Sequence, residues 1–174
     1  DNIRITRSLR KSLRNKGYRI TFDTCFAEVV NACAAPRAYT AETWITHEMH
    51  TAYCLLHAAD IAHSVEVWNP AGELVGGLYG VATGGVFSGE SMFSREPDTS
   101  KIAMVALAWH VQHWGFKIID CQIENPHLLS MGAENISRAD YIRILKANLH
   151  VPPPPRWEAD ANADLSHWEP SQTT

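Results

Sequence analysis

The first third of the chain places hydrophobic residues at helical spacing. Residues 6–15 predict a short helix in which Leu9 and Leu13 face inward, because they lie about one turn apart among basic neighbours. A second helix is predicted after Asp23, which can cap it, and a third after Thr46, the expected N-cap. The chain therefore begins with three predicted helices, of which the first is amphipathic.

From residue 62 the hydrophobic period becomes two, which is typical of strands. Val65 and Val67 alternate with polar neighbours, and further strands are predicted over residues 74–81 and 86–92. Turn residues separate these segments. Together they predict a three-strand antiparallel meander.

A helix and a last strand follow the meander. Residues 101–114 are apolar nearly all round, which predicts a buried helix that ends at Gly115. In the strand predicted over residues 116–123, Asp120 and Gln122 lie on the same face. Two short helices complete the pattern. One covers residues 126–131 and stops at Gly132, and the other begins at a capping box of Ser137 and Asp140 and runs to Leu145. This order of elements predicts an α/β (α+β) fold like that of N-acetyltransferases, with a mixed sheet, flanking helices and a cleft.

Length and composition favour one main core. The chain has 174 residues, 45% hydrophobic and 20% charged, and we assign residues 1–150 to a single domain. Residues 151–174 begin with a proline run, so we expect a flexible tail that Trp157 or Trp168 could pin. The longest apolar run is too short to cross a bilayer and no secretory signal is visible. We therefore expect a cytoplasmic protein that does not enter membranes.

Cysteine and histidine spacing argues against a metal site. The four cysteines form no C-x-x-C pair, so reduced thiols are expected. The nine histidines include pairs three residues apart, such as His47 and His50, but none has the spacing of a zincin helix. The sequence thus predicts no bound metal.

Charge is unevenly distributed along the chain. The net charge is −4, yet residues 1–20 contain seven basic side chains and one acidic side chain. A basic stripe can follow phosphates, and an acidic body suits a cationic second substrate. The alternative is an ordinary solvated helix face.

Seven short motifs carry a specific resemblance to a known family. They are Trp44-Ile-Thr46, His63-Ser-Val-Glu-Val-Trp68, Val75-Gly-Gly-Leu-Tyr-Gly-Val81, Gly89-Glu-Ser-Met-Phe-Ser-Arg95, Ser100-Lys101, Ile119-Asp-Cys-Gln122 and Pro126-His127. In this order, over residues 5–145, the chain resembles the leucyl/phenylalanyl-tRNA protein transferases. The resemblance implies transfer of Leu, Phe or Met from aminoacyl-tRNA to proteins that begin with Arg or Lys, which marks them for degradation. It implies no cofactor, and we expect a monomer.

The resemblance assigns the catalytic chemistry to Asp120 and Gln122. Asp120 would accept a hydrogen bond from the Gln122 side-chain amide, so that the Gln122 oxygen faces the incoming amine and positions it. Glu90 would bind the cationic N-terminal side chain, and Asn125 would help to hold the peptide. Without the resemblance, a buried polar pair on a strand and a solvated surface glutamate are the alternatives.

The resemblance also places the aminoacyl pocket and the tRNA contacts. The pocket positions are all hydrophobic, so core packing is their alternative: Leu78, Phe87, Met104, Leu107, Val111 and Ile119. Trp44 and Tyr53 match aromatic residues that contact the terminal adenosine, although either could be ordinary core. The residues assigned to tRNA phosphates are Arg7, Arg10, Lys11 and Arg14. Family members usually carry a small additional N-terminal domain, which we expect to be absent from this chain.

Two other functions stay open at this point. An N-acetyltransferase that uses acetyl-coenzyme A would present a glycine-rich pyrophosphate loop before the buried helix, whereas residues 94–100 contain no glycine. A non-catalytic RNA- or peptide-binding domain would not need the Asp-x-Gln pair or Glu90, and both are present.

Overall fold

A five-stranded mixed sheet organises the computed structural model, which describes residues 2–35 and 45–170. The strands are β1 (Arg19–Phe22), β2 (Ala62–Trp68), β3 (Leu74–Thr83), β4 (Val86–Ser94) and β5 (Ile118–Asp120). The helices are α1 (Arg7–Asn15), α2 (Phe26–Ala34), α3 (His47–Ala58), α4 (Thr99–His113), α5 (Pro126–Ser130) and α6 (Arg138–Asn148). The predicted mixed α/β architecture is confirmed.

The strands lie in the sheet in the order in which they occur along the chain. Antiparallel pairing from β1 to β4 confirms the predicted meander and extends it by one strand. β5 pairs with β4 in parallel through three residue pairs, and α4 connects the two strands. A parallel neighbour needs such a crossover, since a tight hairpin can join only antiparallel strands.

Helices cover both faces of the sheet. α1 and α4 pack on the face where Leu78 and Phe87 belong to the core. α2 and α3 pack on the opposite face, around Tyr79. Because both faces are covered, residues 62–67 of β2 are all buried, including the polar Glu66, instead of alternating between core and solvent.

A side-chain cap marks the start of α3 but not that of α2. Thr46 caps α3 as predicted, and its hydroxyl accepts the N–H of Met49 at 3.3 Å. The prediction that Asp23 caps α2 is wrong, because Cys25 is the N-cap and makes no side-chain cap bond. Asp23 instead accepts a hydrogen bond from His63 Nδ1 at 2.8 Å.

The predicted buried helix is α4. Most of its side chains are buried, and Gly115 ends it in a left-handed conformation with φ 83°. Its N-cap, Asp98, makes no side-chain cap bond. Within residues 2–35 and 45–170, no helix is long and apolar enough to cross a membrane.

β5 is much shorter than predicted. The strand expected over residues 116–123 ends at Asp120. Gln122 has φ 61°, a left-handed conformation that is incompatible with a strand. Asp120 and Gln122 are therefore not neighbours on one face of a strand, and that prediction is wrong.

Residues 151–170 contain no helix or strand, yet they pack against the domain. Trp157 is 6% exposed and stacks on His63 with ring centroids 3.8 Å apart. His110 Nε2 accepts the backbone N–H of Asp160 at 2.9 Å. These contacts pin the segment through Trp157, and they do not fit the expectation of a flexible extension.

Candidate functional site

A cleft of about 750 Å³ opens beside β5. Its walls come from α4, β5 and the loop after it, α5 and the first turn of α6. Its apolar lining includes Met104, Val111 and Ile119, and Asp120 and Gln122 line the same cleft. An apolar wall with a few polar groups and a volume between about 300 and 1,000 Å³ is typical of a substrate pocket.

The chain leaves its pairing with β4 at Asp120 and lines the cleft with the residues that follow, 121–124. The last pair of the ladder joins Ser88 to Asp120. Beyond it, the backbone N–H of Gln122 donates to Asp120 Oδ1 at 2.8 Å, and Gln122 Nε2 donates to the carbonyl of Gly89 at 3.2 Å. Asp120 thus holds the backbone of Gln122 rather than its side-chain amide, which corrects the predicted pairing. Gln122 is exposed, and with Nε2 engaged its Oε1 can accept a donor from a substrate.

Glu90 occupies a β-bulge in β4. Tyr79 pairs with Ser91 and Gly80 pairs with Gly89, so Glu90 has no opposite residue on β3. A bulge redirects the side chain of the extra residue and is common beside active sites. Glu90 directly follows Gly89, whose carbonyl binds Gln122 Nε2, but Glu90 is not among the residues that line the cleft.

Tyr53 contacts Glu90 and is buried. It is 8% exposed, and its ring meets Tyr79 edge-on with centroids 4.9 Å apart. Burial, followed by hydrogen bonding to Glu90 and by its charge, raises the pKa of Tyr53, so the phenol stays protonated and donates to the carboxylate. This burial does not fit the predicted stacking of Tyr53 on an adenosine. Trp44, the other predicted adenosine contact, lies outside the described residues.

The six predicted pocket residues separate into two groups. Met104, Val111 and Ile119 line the cleft and can touch a substrate. The other three are at most 2% exposed and do not line the cleft: Leu78, Phe87 and Leu107. Only half of the predicted pocket therefore faces the cleft.

Asn125 has a structural task of its own. Its side-chain oxygen caps α5 by accepting the N–H of Leu128 at 2.9 Å. Asn125 is exposed and follows the cleft-lining residues 121–124 directly. It therefore helps to shape the loop that carries the cleft.

Tyr141 is a cleft residue that no sequence motif indicated. It is half-buried in the first turn of α6 and lines the same cleft as Asp120. Partial burial, then the charge of Asp120 and hydrogen bonding to it, raise the pKa of Tyr141, while hydrogen bonding to Ser88 lowers it. The capping box that begins with Ser137 correctly marks the start of α6, but such local spacing carries no information about this tertiary contact.

The basic residues of α1 also divide into two groups. Arg7, Lys11 and Arg14 are exposed and share one helix face, since they recur at intervals of four and three residues. Arg10 is half-buried and donates to the carbonyl of Trp168, a cleft-lining residue, at 2.9 Å. Three of the four predicted phosphate contacts thus face solvent.

A cluster that the sequence did not indicate brings Asp23, His57 and His63 together, with one possible ligand atom from each within 4.8 Å of the others. The Nδ1 atoms already make hydrogen bonds, that of His57 with the carbonyl of Ala62 at 2.8 Å and that of His63 with Asp23 at 2.8 Å. A metal ion bound through these nitrogens would have to displace both hydrogen bonds. We therefore interpret the cluster as a hydrogen-bonded support for the turn after β1.

The N-terminus of α4 is poorly suited to a phosphate group. The N–H of Ser100 donates to the hydroxyl of Ser94 at 3.2 Å, and the N–H of Thr99 donates to the carbonyl of Glu96 at 3.3 Å. Glu96 and Asp98 place two carboxylates directly before the helix. A helix N-terminus binds an anion through free N–H groups, so this arrangement disfavours a coenzyme A pyrophosphate.

Comparisons with known proteins agree with one another. The family described as leucyl/phenylalanyl-tRNA protein transferase matches residues 1–146. The leucyl/phenylalanyl-tRNA–protein transferase of Thiobacillus denitrificans is 53% identical over 160 residues, which cover 91% of this chain and 70% of that protein. Its namesake from Hahella chejuensis is 49% identical over 167 residues, which cover 96% of this chain and 66% of that protein. The chain thus spans about two thirds of the length of these relatives.

Proposed function

The chain belongs to the leucyl/phenylalanyl-tRNA protein transferase family, and on this premise we propose that it transfers an amino acid from aminoacyl-tRNA to a protein N-terminus. The observation that carries the proposal is the cleft in which Met104, Val111 and Ile119 lie together with Asp120 and Gln122. The apolar wall suits the side chain of Leu, Phe or Met. The polar pair supplies hydrogen bonds for the reacting groups.

The proposed reaction exchanges an ester for an amide. The α-amine of the protein attacks the aminoacyl carbonyl carbon, a C–N bond forms and the ester C–O bond breaks. The amine loses one proton, and the released ribose oxygen of the tRNA ends as a hydroxyl. An α-amine has a reference pKa of about 8, so a useful fraction is neutral near physiological pH. The enzyme therefore needs to supply positioning and only modest proton transfer.

Gln122 receives the amine in this proposal. The carbonyl of Gly89 accepts a hydrogen bond from Gln122 Nε2 at 3.2 Å, and Asp120 Oδ1 accepts one from the backbone N–H of Gln122 at 2.8 Å. Both the side chain and the backbone of Gln122 are therefore held. Its Oε1 can then accept a hydrogen bond from the attacking amine. A neutral amide is a weak base, and orientation is the contribution we assign to it.

Glu90 recognises the basic N-terminal residue of the acceptor protein in the same proposal. The Tyr53 phenol orients its carboxylate, which can bind an Arg side chain with two hydrogen bonds or a Lys side chain as a point charge. Asn125, which caps α5 and shapes the loop before it, helps to hold the peptide. The basic face of α1, with Arg7, Lys11 and Arg14, contacts tRNA phosphates. The proposal includes a cytoplasmic location, where aminoacyl-tRNA is available.

The test supplies the complete natural protein with labelled Leu-tRNA and a peptide that begins with Arg. We expect the label to reach the peptide and to be lost when RNase is added first. A peptide that begins with Ala should be labelled far less. Absence of transfer from Leu-tRNA would overturn the proposal, and labelling from acetyl-coenzyme A alone would establish an acetyltransferase instead.

The role of Glu90 is tested in the same assay with the Glu90→Gln variant. It should lose the preference for Arg over Ala and keep its affinity for Leu-tRNA, because the basic side chain that Glu90 would bind belongs to the acceptor. Glu73→Gln is the matched control, since Glu73 is exposed and bound to Asn69 in the turn between β2 and β3. Equal loss of tRNA binding and peptide preference in Glu90→Gln would show that Glu90 is structural.

A further inference from the structure

Trp168 belongs to the segment after α6 and lines the same cleft as the residues that we assign to the reaction. The family match covers residues 1–146, so this tryptophan lies beyond it. We propose that Trp168 is a specificity-determining residue, whose indole limits the size of the aminoacyl side chain that the cleft accepts. The inference rests on the proposed function and deepens it.

The indole of Trp168 lies in apolar surroundings. It is half-buried and packs against the same hydrophobic cluster as the three pocket residues that line the cleft, Met104, Val111 and Ile119. An aromatic side chain can bury about 150 to 250 Å² of surface. Because the core covers only part of the indole, the rest of its surface can contact an apolar group in the cleft.

The backbone that carries Trp168 is fixed by a turn. Leu165 is 8% exposed and belongs to the core, which anchors the turn to the domain. The N–H of Trp168 donates to the carbonyl of Asp164 at 3.1 Å. The Asp164 carboxylate accepts the hydroxyl of Ser166 at 2.9 Å and the N–H of His167 at 3.2 Å. The indole is therefore presented to the cleft from a defined position.

Arg10 of α1 holds the same turn from the outside. Its Nη1 donates to the carbonyls of Ser166 at 3.0 Å and Trp168 at 2.9 Å, and its Nη2 lies 3.0 Å from Glu169 Oε1. The Glu169 side chain is 83% exposed, so the ion pair contributes little and the two bonds to carbonyls carry the link. A guanidinium presents its donors in a rigid fork, which fixes direction as well as distance. Arg10 thus acts on the cleft through Trp168 instead of binding a tRNA phosphate.

The test compares Trp168→Ala with Trp157→Phe in the complete natural protein. Trp168→Ala should raise the ratio of kcat/KM for Phe-tRNA over Leu-tRNA about tenfold, because a wider cleft favours the larger side chain. Trp168→Phe keeps part of the ring and should give an intermediate ratio. Trp157 is a tryptophan of the same segment that is buried in the core and does not line the cleft, so Trp157→Phe should keep the wild-type ratio. A wild-type ratio in Trp168→Ala, or the same change in Trp157→Phe, would overturn the inference.

The part played by Arg10 is tested with Arg10→Gln against Arg7→Gln. Arg10→Gln should raise the same ratio about threefold, and in a double variant it should add nothing to Trp168→Ala, because both changes act through one indole. Arg7 is an exposed residue of the same helix, and Arg7→Gln should weaken the binding of both aminoacyl-tRNAs equally and keep the ratio. The same equal weakening in Arg10→Gln, without a change of ratio, would refute the link to Trp168.

A measurement without transfer separates this inference from the proposed function. In protein labelled with 5-fluorotryptophan, the fluorine resonance of Trp168, identified by its loss in Trp168→Phe, should shift when phenylalanine methyl ester is added. The resonance of the buried Trp157 should stay in place. A Trp168 resonance that does not shift would contradict the inference. A wild-type protein that transfers no amino acid would overturn the proposed function instead, and the fluorine shift would still decide whether the indole contacts an apolar ester in the cleft.

Discussion

Met104 and Leu107 lie one helical turn apart on α4, yet they have different surroundings. Both belong to the core around the sheet, but Met104 also lines the cleft, whereas Leu107 has no exposed surface and does not line it. A helix surrounded by other elements presents neighbouring positions to different partners, even when every side chain is hydrophobic. Within the proposed function, Met104 therefore helps to set the size of the aminoacyl pocket, while Leu107 contributes to stability.

This difference predicts distinct effects of truncation. Met104→Ala should raise the ratio of kcat/KM for Phe-tRNA over Leu-tRNA about tenfold, because a deeper pocket favours the larger side chain and a few methylenes are worth about 1 to 3 kcal/mol. Leu107→Ala should lower the free energy of unfolding by about 2 to 5 kcal/mol and leave that ratio unchanged. Steady-state kinetics and chemical denaturation distinguish the two. A change of preference in Leu107→Ala would contradict the assignment.

At the scale of elements, β3 and the start of α4 lie in close contact. Thr99 is fully buried, and its hydroxyl donates to the carbonyl of Val75 at 2.8 Å. A Cβ atom on Gly76 would lie 2.4 Å from the Cβ of Thr99, far inside van der Waals contact. Gly76 is therefore required by the approach of helix and strand rather than by an unusual backbone conformation.

Gly76→Ala should lower the free energy of unfolding by about 1 to 3 kcal/mol or more, because backbone and a β-branched side chain must both move. Gly89→Ala is the control on the neighbouring strand, since its added Cβ would meet its nearest neighbour, the carbonyl oxygen of Asp120, at 3.7 Å. It should leave stability within about 0.5 kcal/mol of the wild type. Urea denaturation measures both, and equal stability of the two variants would refute the steric argument.

At the scale of the whole molecule, the segment after α6 completes the core. Trp157 lies 4.9 Å from Trp114 and 3.8 Å from His63, measured between ring centroids. His110 links the same segment to α4, because Nδ1 donates to the carbonyl of Ala106 at 2.7 Å and Nε2 accepts the N–H of Asp160 at 2.9 Å. This arrangement requires a neutral imidazole.

The link predicts how stability depends on pH. Burial lowers the pKa of His110 below its ordinary value of 6.5, against the opposing effects of its hydrogen bond to Ala106 and the charge of Asp160. At this site the unfolded chain then binds a proton more readily than the folded chain. The contribution of neutral His110 to the free energy of unfolding is therefore complete above pH 6.5 and is lost as pH falls below that value. Urea denaturation at several pH values across this range should show that the free energy of unfolding depends less on pH in His110→Gln than in the wild type. The control His150→Gln, at an exposed position after α6, should keep the wild-type dependence on pH.

Local sequence determined much of this fold. The period of hydrophobic residues identified the meander and the buried helix, and the hydroxyls of Thr46 and Ser137 marked helix starts, because caps and periodicity act within a few residues. The motifs indicated the family, and they named Asp120 and Gln122, which do lie in one cleft.

Only the tertiary structure decided how these residues meet. Periodicity shows that Leu107 and Met104 avoid water, but it does not show which of them faces a cleft. Pairing with β4 ends β5 at Asp120, so Gln122 turns away from the strand that its neighbours predict. The cleft also brings Tyr141 and Asp120 together from elements that are distant in sequence. Such contacts depend on packing between whole elements, which no local pattern encodes.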